Sequence, residues 1–206
     1  MAQLELVHPA PLLDLVARAD HAAIALLVRE GAKVLDIGCG DGALMSLLTN
    51  ERGAIVRGIE IDRTKAHSCV RRGLAVVQGD VEHDLEEFPS GAFDYVVLAR
   101  TLECLRRPRA TLKQAARIGE RVIVSIANAG HWRARMRLLT KGRLARADEA
   151  AGALFTVRDF AEYARDMRLS IERATPLSGG HAGAPFAKQF WRANWFAEEA
   201  VFLLAP

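Results

Sequence analysis

VLDIGCGDG, residues 34–42, carries the strongest structural signal in the chain. An apolar run ends in the acid Asp36 and passes through three alternating glycines, Gly38, Gly40 and Gly42, into a sequence typical of a helix. Glycine allows a backbone to adopt positive φ and to approach a ligand closely. In open α/β sheets, ligands bind at this place, beyond the carboxyl ends of the strands. The segment therefore predicts a strand, a ligand-binding turn and a helix.

Apolar, β-branched runs alternate with helical sequences along the rest of the chain. We predict seven strands, over 33–37, 55–59, 74–78, 93–98, 121–126, 169–174 and 195–204. We predict helices over 11–30, 43–52, 63–72, 108–118 and 157–167, and a loop over 176–185. Strands that are almost wholly apolar and alternate with helices are buried on both faces, as in a parallel sheet. The sequence thus predicts one α/β domain, residues 1–206, with late strands added in the antiparallel sense.

The composition argues against several classes of protein. Half of the 206 residues are hydrophobic and 26% are charged, which suits one domain with a substantial core. A net charge of +3 on a chain of this length is only a weak indication of nucleic-acid binding. No apolar run approaches the roughly 20 residues of a membrane span, and the first residues lack the basic region of a secretory signal, so we expect a cytoplasmic protein. Three cysteines are too few, and odd in number, for a disulfide framework. The histidines have no neighbours at the spacing of metal ligands, so we predict no metal site.

Acidic residues follow the first three predicted strands. Asp36 and Asp41 flank the glycines, which disfavours the pyrophosphate of a dinucleotide and suits a ligand with cationic groups. Glu60 can accept hydrogen bonds from both hydroxyls of a ribose. Asp80 can accept a hydrogen bond from an adenine amino group, and the Val81 amide can donate one to the adenine ring. Two alternatives stay open: Glu60 as an exposed acid at a strand end, and Asp80 as a helix N-cap.

Several motifs in this chain resemble those of class I S-adenosylmethionine-dependent methyltransferases. They are VLDIGCGDG, IEID at 59–62, QGD at 78–80 and FDYVVLARTLE at 93–103. GHWRARMRLLTKGRL at 130–144, LFTVRDF at 154–160 and WFAEEAVFLL at 195–204 are similar to the methionine biosynthesis protein MetW family, over roughly residues 30–206. The resemblance implies a Rossmann-like class I methyltransferase fold: a mostly parallel seven-stranded sheet with an antiparallel C-terminal strand and helices on both faces. It also implies S-adenosylmethionine or S-adenosylhomocysteine as cofactor, and homoserine O-acyltransferase as partner.

The resemblance and the acidic constellation together define a candidate site. The cofactor-binding candidates are Asp36, Gly38, Cys39, Gly40, Asp41, Gly42, Glu60, Ile61, Asp80, Val81 and Ala99. Catalytic candidates follow the fourth and fifth strands: His131 as a general base, Asn128 positioning an acceptor, and Arg100 lining a pocket. Packing and helix capping explain Asn128 and His131 equally well. The fourth strand is not followed by the Asn/Asp-Pro-Pro-Tyr motif of nucleobase and amide methyltransferases, which argues against those substrates.

A basic segment, Arg133–Arg146, contains six basic side chains and no acid. It is interpreted either as a solvated amphipathic helix or as a site for an acidic partner or a phosphate-bearing substrate, of which docking of a partner is the preferred functional interpretation. We therefore carry three hypotheses: a cofactor-binding partner of homoserine O-acyltransferase, a methyltransferase acting on a small molecule, and a dinucleotide-dependent oxidoreductase, which the glycine spacing disfavours. Residues 147–154 are shorter than the corresponding segment of the family, so any acceptor pocket, and with it enzymatic activity, is left open.

Overall fold

The computed structural model describes residues 18–142, 153–186 and 190–206. Its strands are β1 (Lys33–Ile37), β2 (Ile55–Glu60), β3 (Ala75–Gln78), β4 (Phe93–Ala99), β5 (Gly119–Ala127), β6 (Ser170–Ser178), β7 (His181–Ala182) and β8 (Glu199–Ala205). Its α-helices are α1 (Ala19–Leu27), α2 (Ala43–Arg52), α3 (Arg63–Arg71), α4 (Val81–Asp84), α5 (Pro108–Ile118), α6 (Trp132–Lys141), α7 (Val157–Asp166) and α8 (Phe190–Phe196). Residues 11–17 of the predicted first helix lie outside the described residues.

All the strands form one sheet, in the order β3-β2-β1-β4-β5-β8-β6-β7. The first five positions in that order are parallel to their neighbours. β8 runs antiparallel to β5, and β6 runs antiparallel to β8. The predicted α/β class and the antiparallel C-terminal addition are therefore confirmed. Among the described residues, no helix has both the length and the apolar character of a membrane span.

The sheet separates two hydrophobic cores, one on each face. Neighbouring residues of β4 point to opposite faces, so Val96 packs into one core and Val97 into the other. Leu112 of α5 and Phe160 of α7 cover the first face, while α1 and α2 cover the second through side chains such as Ile24. Burial on both faces is the reason why these strands are apolar at nearly every position.

The C-terminal region differs from the prediction in two respects. Trp195 belongs to helix α8, and the last strand begins only at Glu199, so the predicted strand over 195–204 is wrong in its first four residues. Within the predicted loop 176–185, β6 continues to Ser178 and turns through Gly179 and Gly180, both at positive φ, into the two-residue strand β7. This short hairpin raises the number of strands in the described sheet from the predicted seven to eight.

Candidate functional site

The glycine turn lies at the carboxyl end of β1, between the ends of β2 and β4. Gly38, Gly40 and Gly42 have φ angles of 72°, 58° and 82°, a region that other residues adopt only with strain. A Cβ atom on Gly38 would lie 2.7 Å from Cγ2 of Thr101. Thr101 cannot simply move away, because its Oγ1 donates a hydrogen bond to the Ile37 carbonyl at 2.8 Å. The turn is therefore a cradle that requires glycine.

Glu60 fastens this turn to the second strand. Its Oε2 accepts a hydrogen bond from the Gly40 amide at 2.8 Å, and its Oε1 accepts one from the Asp62 amide at 2.9 Å. The side chain is buried, unlike the exposed strand-end acid of the alternative interpretation. Each carboxylate oxygen can accept more than one hydrogen bond, so these contacts leave capacity for ligand hydroxyls.

Asp36 is the most unusual group at the site. The carboxylate is buried, and neither oxygen has a hydrogen-bond partner among the described residues. Burial, followed by the negative charge of Glu60, raises the pKa of Asp36 to about 7. A buried carboxylate without partners is costly and therefore rare in native proteins. Asp36 lies in β1, directly before the glycine turn.

Asp80 and Val81 follow the third strand, as the sequence predicts. Asp80 is the N-cap of α4: its Oδ1 accepts from the Glu82 amide at 2.9 Å, and its Oδ2 lies 3.1 Å from Nδ1 of His83. The bond from the Glu82 amide holds the pKa of Asp80 below its usual value. The structure therefore shows Asp80 as a helix N-cap, and 40% of its side chain remains exposed. Ile61, which follows β2, presents an exposed apolar side chain.

An ion cluster lies at the carboxyl ends of β4 and β5, next to Ala99. Arg100 has a φ of 61°, and its guanidinium contacts Glu103 at 3.0 Å and Glu199 at 2.7 Å. The Arg100 amide donates to Oγ of Ser125 at 3.0 Å, and that hydroxyl donates to the buried Asp20 at 2.7 Å. The guanidinium of Arg100 is therefore already held by two carboxylates within the chain.

Sequence reasoning identified Arg100 but none of its partners in this cluster. Ser125 and Asp20 are separated by 105 positions, and Arg100 and Glu199 by 99. No local spacing signals such contacts. The only available hint is polarity within apolar segments, since Asp20 lies in a helix rich in alanine and leucine and Ser125 interrupts the apolar run of β5.

Asn128 and His131 have structural contacts in the described residues. The Asn128 amide nitrogen donates to the carbonyls of Ala193, Asn194 and Ala197, at 2.7–3.2 Å, and its oxygen accepts from backbone amides. His131 is the N-cap of α6, with Nδ1 accepting from the backbone of the helix. These contacts favour the packing and capping interpretations over catalytic ones.

The described site is an acidic, glycine-lined cradle, in which one buried carboxylate lacks a partner. It is suited to a ligand that carries positive charge together with hydroxyl groups. In the described part of the chain, no group of three or more histidine, cysteine, aspartate or glutamate side chains is placed to hold a metal ion. Cys39 and Cys69, near the glycine turn, are buried. Burial raises the pKa of both thiols, which disfavours either as a nucleophile.

Comparisons with known proteins agree with this geometry. The family model described as "Methionine biosynthesis protein MetW" matches residues 18–204. The bifunctional methionine biosynthesis protein MetXA/MetW of Rhodopirellula baltica is 28% identical over 144 residues, which are 66% of this chain and 23% of that protein. Across the curated relatives it matches, the chain spans between 23% and 37% of their length.

Solved structures show the same fold. An S-adenosylmethionine-dependent methyltransferase of Thermotoga maritima is 17% identical, with a TM-score of 0.67, over 91% of this chain and 87% of that chain. Magnesium protoporphyrin IX methyltransferase of Synechocystis, solved with bound S-adenosylmethionine, is 15% identical, with a TM-score of 0.61, over 91% of this chain and 78% of that chain. At such low identities the likeness establishes the class I methyltransferase fold and nothing finer.

Proposed function

The chain belongs to the methionine biosynthesis protein MetW family, and on that premise we propose that it binds S-adenosylmethionine and supports homoserine O-acyltransferase as its partner. The proposal has two parts: a ligand at the glycine turn and an enzyme on the surface. S-adenosylmethionine is an end product of methionine metabolism, so its binding here would report the state of the pathway to the acyltransferase.

Asp36 is the observation that carries the ligand part of the proposal. S-adenosylmethionine has a cationic amino group beside a carboxylate, a cationic sulfonium, a ribose and an adenine. A buried carboxylate without partners among the described residues fits one of the two cationic groups, and Glu60 retains capacity for the ribose hydroxyls. Ile61, Asp80 and Val81 would then bind the adenine from the ends of β2 and β3. The cradle thus fits this group.

The remaining candidates would complete the pocket around these carboxylates. Gly38, Cys39, Gly40, Asp41 and Gly42 form the turn that would carry the amino-acid portion of the ligand, and Ala99 would flank the adenosyl group at the end of β4. When bound, S-adenosylmethionine supplies an electrophilic methyl group. In our proposal the protein's own residues bind and orient the ligand, and no side chain is assigned to a proton transfer.

The partner half is supported by the bifunctional relative, whose name joins MetXA and MetW in one chain. Joining two modules by a linker gives them a high effective concentration for each other, so natural fusion is expected of proteins that work together. We interpret the MetXA part as homoserine O-acyltransferase. The proposed contact is the basic segment Arg133–Arg146, of which residues 143–146 lie outside the described residues.

A methyltransferase acting on a small molecule is the second candidate, and the fold favours it. Methyl transfer works largely through proximity and in-line geometry, so it requires an open approach to the methyl group. The cluster of Arg100, Glu103 and Glu199 lies at the strand ends where an acceptor would enter. The side-chain amide of Asn128 already donates hydrogen bonds to backbone carbonyls. These contacts make the first candidate the better supported.

The test measures homoserine O-acyltransferase activity, with the enzyme from the same organism, at increasing concentrations of this protein. The proposal predicts a saturable change in activity that depends on S-adenosylmethionine. The variant Glu60→Ala should lose the dependence on S-adenosylmethionine, because it removes the carboxylate that holds the Gly40 amide and that is proposed to bind the ribose. An acyltransferase that ignores this protein at every ligand concentration would refute the partner role. Transfer of the methyl group from S-adenosylmethionine to a metabolite, when this protein is incubated with a small-molecule extract of the same organism, would favour the second candidate.

A further inference from the structure

Helix α6 is exposed at eight of its ten residues, and Ala134 and Arg135 are partly buried. None of its ten residues is buried, although it carries the apolar side chains Trp132, Met136, Leu138 and Leu139. Leu139 is 80% exposed. An isolated helix of this length is marginal in water, so a helix without a buried face is expected to gain stability from a partner. Four of its other six side chains are basic, and none is acidic.

Helix α8 extends this exposed surface with aromatic side chains. Trp191 is 61% exposed, Phe196 58% and Trp195 45%. Arg135 of α6 contacts Trp195 of α8: its guanidinium lies 4.4 Å from the centre of the Trp195 ring. The Nε atom of Arg135 also donates a hydrogen bond to the Gly130 carbonyl at 2.6 Å. We call the surface formed by the exposed side chains of α6 and α8 the aromatic–basic face.

The composition of the aromatic–basic face is that of a protein interface. Tryptophan, arginine and methionine are enriched where proteins bind one another, and tryptophan and arginine dominate binding hot spots. Contiguous exposed apolar groups are uncommon on monomeric proteins and mark binding sites. The sequence indicated only the basic part of this face, because no helix was predicted over 190–196 and the last two residues of α8, Trp195 and Phe196, were predicted to begin a strand.

We propose that the aromatic–basic face is where homoserine O-acyltransferase docks, through a complementary surface of that enzyme that is apolar at its centre and acidic around it. This inference rests on the proposed function. The charge of α6 selects this occupant over a second copy of the chain, because two copies facing each other through α6 would oppose Arg137 and Lys141 to the same cations, whereas Arg133 already contacts Glu198 at 3.4 Å. Acidic groups on a different protein neutralise them instead.

The test compares two matched charge reversals in the full-length protein. Arg137→Glu/Lys141→Glu changes an exposed i, i+4 pair on α6, and Arg109→Glu/Lys113→Glu changes an exposed i, i+4 pair of the same charge on α5, away from the face. The Kd for purified homoserine O-acyltransferase is measured by calorimetry. We expect the α6 variant to bind at least tenfold more weakly and the α5 variant to stay within about twofold of the unsubstituted protein. S-adenosylmethionine affinity reports that both variants are folded.

A second pair of variants isolates the apolar contribution. Leu139→Asp places a charge in the aromatic–basic face, and Leu26→Asp makes the same change at an equally open leucine of α1, 72% exposed. We expect only Leu139→Asp to weaken acyltransferase binding, again by at least tenfold.

The outcomes separate this inference from the proposed function. If the unsubstituted protein neither binds nor affects the acyltransferase, the proposed function fails, and this inference with it. If it binds and the α6 variants bind equally well, the docking surface lies elsewhere and only this inference is overturned. Self-association, or binding to vesicles of anionic phospholipid, that is lost in the α6 variants while acyltransferase binding remains would also overturn it.

Discussion

Replacing Asp36 by Asn should make the ligand-free protein more stable. In the unfolded chain this carboxyl ionises near its ordinary pKa of 3.8, whereas in the fold its pKa is about 7. Ionisation therefore opposes folding increasingly as the pH rises between those two values, because the unfolded state releases the proton first. The difference of about 3 pKa units, at roughly 1.4 kcal/mol per unit, corresponds to about 4 kcal/mol above pH 7 and to less than about 1 kcal/mol near pH 4.

The assay is chemical denaturation of the unsubstituted protein and Asp36→Asn, at about pH 5 and about pH 8, without ligand. We expect the variant's gain in unfolding free energy to be larger at the higher pH. Asp62→Asn is the matched control, because hydrogen bonds from the Lys65 and Thr64 amides lower the pKa of Asp62, so its loss should bring no gain. Equal or lower stability of Asp36→Asn at both pH values would refute the reasoning that Asp36 is kept unpaired for a ligand.

Asp36, Gly38 and Asn128 each allow one further test. Affinity for S-adenosylmethionine, measured by calorimetry, should rise as the pH increases through about 7, because a cationic ligand needs Asp36 ionised; affinity that is flat with pH contradicts this. Gly38→Ala should lower the melting temperature and weaken ligand binding, because its Cβ meets Thr101 at a positive φ; normal binding would show that the cradle tolerates a side chain. Asn128→Ala should destabilise the fold by about 3 kcal/mol in denaturation experiments, since buried carbonyls lose their donor; an unchanged fold with altered ligand binding would instead favour a role at the site.

The glycine turn and the parallel half of the sheet could be predicted because their signals are local. VLDIGCGDG combines an apolar strand, an acid and three glycines within nine residues, and the structure places Gly38, Gly40 and Gly42 at positive φ. The buried strands are apolar at nearly every position because both faces of the sheet are covered. Such patterns do not depend on distant parts of the chain.

Helix α8 could not be predicted in the same way. Its sequence is rich in tryptophan and phenylalanine, which favour strands by propensity. The helix forms where Asn128, more than 60 positions earlier, donates to three carbonyls at its C-terminal end. Tertiary contact therefore overrides local propensity here, and the exposed aromatic side chains become visible as a surface only in the structure.

The ion cluster beside the site depends on distant contacts as well. Asp20, Ser125, Arg100 and Glu199 come from four separate segments. From its position after the fourth strand, Arg100 was predicted to line an acceptor pocket. Only the structure shows that its guanidinium already forms ion pairs with Glu103 and Glu199. Because the cluster lies where a methyl acceptor would enter, it favours the proposed partner role over methyl transfer more clearly than any motif does.

Calorimetric titration of the purified protein with S-adenosylmethionine, S-adenosylhomocysteine and NAD tests most directly whether the glycine turn binds S-adenosylmethionine, with Glu60→Ala as the matched variant. We expect binding of the adenosyl ligands, no binding of NAD, and loss of adenosyl binding in Glu60→Ala. Failure of the unsubstituted protein to bind either adenosyl ligand, or a preference for NAD, would contradict this expectation.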